Sequence, residues 1–155
     1  MKTLILGLGN PILSDDGVGI RVARALEGRL NQQEVTVMET SMAGLNLLDL
    51  LVNFDRAIII DAIQTVGGKV GQIYQLEPSA FDATRHAATP HDVNFATALE
   101  LGNKLDMALP QQIVIFAVEV ENVSSFSEEC TPEVERAIPV CVEKIIKELN
   151  SSGNR

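Results

Sequence analysis

Short, continuous apolar runs alternate along the chain with longer stretches that carry apolar residues at helical spacing. Thr3–Leu8 is an unbroken apolar run flanked by glycine, which predicts a strand buried on both faces. Gly17–Leu30 places Val18, Val22, Ala25, Leu26 and Leu30 on one stripe, the spacing of an amphipathic helix. Val35–Glu39 reads as a second short strand and leucine-rich Ala43–Val52 as a second helix. Arg56–Asp61, built around Ile58, Ile59 and Ile60, predicts a third strand at the centre of a sheet. Gly71–Leu76 follows after a gap that contains Gly67 and Gly68. That gap is too short for the crossover of a dozen or so residues that a parallel connection needs. The fourth strand should therefore run antiparallel to the third, without having to lie beside it.

Two later helices open on threonine followed by proline, a cap and a first helical position. Thr89-Pro90 predicts a helix reaching about Leu105, and Thr131-Pro132 one reaching about Leu149. Ile113–Val118 between them is the last buried strand, and Ser151–Arg155 should fray. Pro139 falls inside the final helix, where it removes a hydrogen bond to Glu135 and should kink the axis. With no internal repeat and no linker, the pattern predicts one α/β domain spanning residues 1–155, with helices layered on both faces of the sheet.

Composition narrows the function classes. The 155 residues are 46% apolar, which excludes disorder, and no apolar run is long enough to cross a bilayer. No signal peptide is visible at Met1-Lys2-Thr3, so a cytoplasmic location is expected. The net charge of −9, without a basic run or tryptophan, argues against nucleic acid as a partner. Cys130 and Cys141 are too few and too far apart for a zinc knuckle or a disulfide framework and read as small buried apolar residues.

The first strand breaks into Gly7-Leu8-Gly9-Asn10-Pro11-Ile12-Leu13-Ser14-Asp15-Asp16-Gly17-Val18-Gly19. The layout imitates a nucleotide loop, but the third fingerprint glycine is missing and Pro11 removes an N–H that a pyrophosphate would use. Two aspartates at a helix start repel phosphate and attract a cation. Open α/β sheets bind ligands beyond the carboxyl ends of their strands, and that rule selects few polar residues here. They are Asp15 and Asp16 after the first strand, Glu39 at the end of the second and Asp61 closing the third. Glu119 and Glu121 follow the last strand, and His91 with Asp92 lies in the first turn of the fourth-strand helix. Asp61 carries the most weight, because an aspartate at the mouth of a central strand is partly buried and needs a cation, a hydrogen-bond network or a raised pKa. Asp15 is expected to cap its helix, leaving Asp16 to face the crevice. Imidazole plus carboxylate suits Zn²⁺ or Ni²⁺ with open positions. His86 is read as structural, and Cys130 as a plain loop cysteine.

The segments LILGLGNPILSDDGVGIRVARAL, AGLNLLDLL, IIIDAIQTVGGKVGQIYQLEP, TPHDVNFATALELG and IFAVEVENVSSFSEECTPEVERAIPVCVEKIIKEL together resemble the hydrogenase maturation endopeptidases. The resemblance covers essentially the whole chain, and its G-x-G-N-x-x-x-x-D-[DE]-G-x-G opening is specific. It implies a three-layer α/β/α sandwich of the phosphorylase/hydrolase-like kind, with a mixed five-stranded sheet and one antiparallel strand. It also implies a metal-binding trio, which falls on Asp16, Asp61 and His91, with Asp16 and Asp61 catalytic. The implied activity is removal of a C-terminal extension from the large-subunit precursor of a [NiFe] hydrogenase after nickel insertion. Nickel is then supplied by the substrate, the resting metal content is left open, and a monomer is expected. Two readings stand beside this one: a metallopeptidase carrying its own zinc, and a docking chaperone without catalysis. The chain departs from the family pattern at Ser41-Met42-Ala43-Gly44 and at Gly68-Lys69-Val70-Gly71, loops near the crevice that bear on partner choice.

Overall fold

A computed structural model describes residues 1–30, 33–42, 44–84 and 94–152. Its centre is a five-stranded sheet of β1 (Thr3–Leu8), β2 (Val35–Thr40), β3 (Arg56–Ile63), β4 (Ile73–Leu76) and β5 (Gln112–Glu119). Their order across the sheet is β2-β1-β3-β5-β4. The first four in that order run parallel, and β4 alone runs antiparallel, paired with β5. The short gap after β3 thus fixes orientation as expected. The neighbour is not β3: the intervening loop crosses the end of β5 and returns on its far side. Two backbone bonds hold that crossing, Gly71 N to Glu119 O and Glu119 N to Gln72 O, each 2.8 Å.

The helices are α1 (Val18–Glu27), α2 (Leu48–Leu51), α3 (Pro78–Thr84), α4 (Phe95–Lys104) and α5 (Pro132–Ser152). Side chains alternate between the two faces of a strand, and two apolar layers follow from that. Ile5, Ile58, Ile60, Phe116 and Val118 pack against α1 and α5 through Val22, Leu26, Val134, Cys141 and Ile145. Leu4, Leu6, Ala57, Ile59, Ile63 and Ile115 pack on the opposite face with Leu51, Phe81, Phe95 and Ala98. Every one of these side chains is buried, so the central strands read as apolar runs because both faces are covered.

Four local expectations are corrected. The leucine-rich segment is a 3₁₀ turn, Gly44–Leu47, followed by the single turn α2. It stops because Val52 is extended and Asn53 takes a φ of 73°. The helix expected from Pro90 starts at Phe95, since Asn94 is extended with ψ of 144°; Thr89-Pro90 itself lies outside the described residues. Its free N–H groups are capped from α3, where Asp82 accepts from Phe95 N at 3.2 Å and Ala96 N at 2.8 Å. The seven residues of α3 were not foreseen, because only Phe81 among them is buried and one apolar residue sets no period. Finally, β3 continues two residues past Asp61, because β5 offers it a partner as far as Ile63↔Glu119. The last helix does begin at Pro132, and it continues through Pro139.

Candidate functional site

The carboxyl ends of the parallel strands share one end of the sheet. The chain winds from β1 outward to β2, then crosses to β3 on the other side of β1. The gap between β1 and β3 is therefore the switch point at which open α/β sheets form their crevice. Pairing of β1 with β3 ends at Gly7↔Ile60, whereas β3 stays paired with β5 through Asp61↔Ala117 and beyond. Asp61 thus sits where one edge of β3 has just been released. Its Oδ1 accepts from Ala62 N at 2.8 Å, and the side chain is half-buried.

The loop after β1 brings Asp16 to the same gap. At Gly9 the chain turns with a φ of 137°, and a Cβ there would lie 1.9 Å from the Asp16 carbonyl oxygen. Only glycine allows both the turn and the approach. A 3₁₀ turn, Ser14–Gly17, then leads into α1 and packs against β3. At Gly19 a Cβ would meet the carbonyl oxygens of Ile60 at 2.3 Å and Leu8 at 2.6 Å. The start of α1 therefore rests directly on the backbone before Asp61. Asp16 accepts one hydrogen bond, from Asn10 N at 3.0 Å. Burial pushes its pKa above the ordinary 3.8, opposed by the Asn10 bond, so a cation at that carboxylate would replace hydration already lost.

Asp15 does not cap its own helix: neither the 3₁₀ turn nor α1 receives a side-chain cap. It is fully buried and serves another part of the chain. Its Oδ1 accepts from Thr131 N at 2.6 Å, and its Oδ2 from Glu121 N at 3.1 Å, Asn122 N at 3.0 Å and Thr131 Oγ1 at 2.9 Å. Thr131, expected to cap α5, instead donates its hydroxyl to Asp15. Glu119 is also spent on structure. Buried at the end of β5, it accepts from Thr65 N at 2.9 Å, Thr65 Oγ1 at 2.5 Å and Tyr74 Oη at 3.0 Å. It thereby holds the loop that follows Asp61. These two clamps were missed because their partners lie as many as 116 residues away.

Other candidates separate cleanly. Glu39 is bound by Arg24 at 2.7 and 2.9 Å, and that guanidinium holds its carboxyl below the usual range. Glu121 is exposed; its N–H donates to Asp15 and its carbonyl accepts from Gln64 Nε2 at 3.5 Å. Ser14 takes a φ of 50°, a left-handed conformation held by Ser14 N to Ser127 O at 2.9 Å and Ser14 Oγ to Glu129 O at 3.2 Å. Cys130, read from sequence as a plain loop cysteine, lies against this turn and donates to the Ser14 carbonyl at 3.7 Å. Burial pushes its thiol up to about 11, so it stays neutral and is no nucleophile at physiological pH. His91, the expected third ligand, lies outside the described residues, as do His86 and Asp92. Among the described residues no three His, Cys, Asp or Glu side chains cluster to hold a metal ion. Nor is any described helix long and apolar enough to cross a membrane.

A mixed α/β sheet with a carboxylate on either side of its switch point defines the class: an α/β protein with an acidic crevice at the carboxyl end of its strands. Comparison with known proteins makes this particular. Residues 20–148 match the hydrogenase maturation protease family model, HycI, and the chain belongs to that family of peptidases. It is 29% identical to the hydrogenase 2 maturation protease of Escherichia coli K12, over 99% of this chain and 93% of that protein. It is 23% identical to the hydrogenase expression/formation protein HupD of Rhizobium leguminosarum bv. viciae, over 98% of this chain and 76% of that one. Among solved structures, the hydrogenase maturating endopeptidase HybD from E. coli superposes with a TM-score of 0.84 at 29% identity, covering 99% of this chain and 94% of that one. HycI from Thermococcus kodakarensis shares the fold, with a TM-score of 0.73 at 19% identity, covering 96% of this chain and 92% of that one.

Proposed function

We propose that this chain removes the C-terminal extension from the large-subunit precursor of a [NiFe] hydrogenase after nickel has been inserted, and that Asp16, Asp61 and His91 grip the substrate's nickel. The observation that carries the reading is the contrast between neighbouring aspartates at the switch point. Asp15 is saturated with donors, whereas Asp16 is half-buried, accepts one hydrogen bond and has its pKa raised by desolvation. A carboxylate in that state gains from a cation and is a stronger base than one in water.

Asp16, Asp61 and His91 would hold the substrate's nickel, which would supply Lewis-acid polarisation of the scissile carbonyl or of a water; one aspartate would accept the attacking water's proton and return it to the leaving amine. Recognition of the metal also explains the timing. Coordination discriminates a loaded from an empty precursor far more sharply than an apolar contact does, because an empty site leaves polar groups unpaired. Asp16→Ala, Asp61→Ala and His91→Ala, each assayed for truncation of nickel-loaded precursor by mass spectrometry, test the assignment. Processing should be lost in each, with the fold intact. Wild-type processing by all three would overturn the site.

A further inference from the structure

The loop between β5 and α5 presents a large apolar side chain to solvent on a rigid frame. Phe126 is 85% exposed, yet the backbone on either side of it is pinned. Asn122 Oδ1 accepts from Ser124 N at 3.1 Å and Ser125 N at 3.0 Å, while Asn122 Nδ2 donates to Ser125 Oγ at 2.9 Å. On the other side Ser127 N donates to the Ile12 carbonyl at 2.9 Å, and Ser127 O accepts from Ser14 N. Both ends of the loop are also fastened to buried Asp15, through Glu121 N and Asn122 N at one end and Thr131 at the other. Ile12, 48% exposed, is thus tied to the residue next to Phe126. It lies two residues from Asn10, whose N–H bonds the Asp16 carboxylate. The path from Phe126 to Asp16 therefore consists of two hydrogen bonds and a few residues of turn.

An exposed aromatic on a mobile tip needs no explanation. One held in place by this many bonds is pre-organised, and rigid aromatic anchors with few rotamers to lose are what protein interfaces use as hot spots. Further apolar side chains share this end of the sheet: Val66 after β3, 82% exposed, and Met42 and Leu45 after β2. Continuity with the crevice argues which partner covers it, since Phe126 is joined to the Asp16 carboxylate through Ser127, Ile12 and Asn10 by the bonds above.

We infer that Ile12 and Phe126, locked side by side next to Asp16, form an apolar lip that docks the folded hydrogenase large-subunit precursor through an apolar patch beside its scissile tail. This rests on the function proposed above, and it adds that the precursor is recognised by its folded surface as well as by its metal. Docking by the lip acts on KM and leaves kcat alone, whereas the carboxylates, which grip the nickel and serve the chemistry, act on both.

The test uses the unprocessed, nickel-loaded large subunit from the same organism and the full chain carrying Phe126→Ser, Ile12→Ser or both. Leu101→Ser on the outer side of α4, 41% exposed against 48% for Ile12, serves as a surface control. Cleavage is followed in otherwise wild-type protein, and Kd is measured directly in an Asp61→Asn background that holds the precursor without cutting it. Each lip variant should raise KM and Kd by about tenfold or more, as loss of one anchor does. The kcat at saturating precursor, the melting temperature and all parameters of the control should not change. A Kd indifferent to both substitutions overturns the docking surface, even where the wild type cleaves normally. So does sedimentation in which the wild type self-associates through Phe126, which would make a second copy the occupant. If the wild type fails to cleave while Phe126-dependent binding persists, the proposed cleavage falls and the docking surface stands.

Discussion

Replacing Asp15 by asparagine tests the division of labour between the two adjacent aspartates. The carboxylate accepts Thr131 N at 2.6 Å on one oxygen, and Glu121 N, Asn122 N and the Thr131 hydroxyl on the other. An amide of the same shape keeps one acceptor oxygen and turns the other position into a donor. With its oxygen toward Glu121 and Asn122, its NH₂ faces the Thr131 N–H, donor against donor, in a site without solvent. A buried donor left unpaired costs about 1–3 kcal/mol, and a hydrogen bond to a charged acceptor contributes about 1.5–3 kcal/mol. The expected loss is therefore ~3 kcal/mol, a melting temperature lower by roughly 6–12 °C for a domain of this size. That leaves the protein folded, given total stabilities of about 5–15 kcal/mol. Asp16→Asn is the comparison. Burial raises the Asp16 pKa, so the folded state resists its ionisation. Stability present below the unfolded value of 3.8 is thus lost as pH rises through the raised folded value. Removing that charge should leave stability equal or higher at neutral pH while abolishing cleavage. Thermal and denaturant unfolding of both variants read the difference. Equal melting temperatures, or Asp15→Asn within a degree of wild type, would refute the assignment of Asp15 to structure and Asp16 to chemistry.

Gly19→Ala should do damage out of proportion to one methyl group, because its Cβ would lie 2.3 Å from the Ile60 carbonyl oxygen and 2.6 Å from that of Leu8. Both are backbone atoms of central strands, so α1 must lift off the sheet; we expect a loss of ~3 kcal/mol or more in denaturant titrations, with cleavage reduced further by displacement of Asp16 from Asp61. The two cysteines should resist alkylation by iodoacetamide in native protein at pH 8 and react when unfolded. Burial pushes Cys130 up to about 11 and Cys141 up to about 12. Because the folded state keeps these protons to higher pH than the unfolded one, stability should decline as pH rises from about 9 toward 11. Rapid native labelling of Cys130 would contradict its placement under the Ser14 turn.

The strands were legible in the sequence because a strand covered on both faces must be apolar at every position, and Thr3–Leu8 and Arg56–Asp61 have no other reading. The antiparallel sense of β4 was legible for a topological reason, since nine residues or so cannot cross a sheet with a helix. The place of β4 beside β5 was not, because adjacency depends on which edge is open. What stayed hidden was every contact made at long range. Asp82 caps a helix thirteen residues on, and Asp15 caps nothing nearby yet ties Thr131 to the loop after β5. Residue type announces that a carboxylate can accept hydrogen bonds and leaves unsaid from whom. Asp16 and Asp61 became candidates, with the other acids at the strand ends, by a positional rule that needs only strand order and direction, and those were the parts the apolar pattern carried.

The same logic accounts for the concentration of fixed polar contacts at one end of the molecule. A carboxylate offers about four acceptor sites, and the degree to which they are filled sorts the acids around the crevice. Asp15 and Glu119 are filled by backbone and hydroxyl donors and lie out of solvent, so removing either side chain or its partners disrupts a loop. Asp16 is held by a single backbone N–H, enough to aim it but not to occupy it. The two filled carboxylates secure the loops at this end, Asp15 the one after β5 and Glu119 the one after β3. If, as proposed above, the site meets a metal arriving inside another protein, its ligands must stay aimed while they wait, because any ordering left until binding subtracts from affinity. The strained turn at Ser14, the glycine at position 9 and the saturated acids on either side all perform that waiting. It follows that loosening the frame should weaken recognition of the loaded precursor even where Asp16 and Asp61 are both intact.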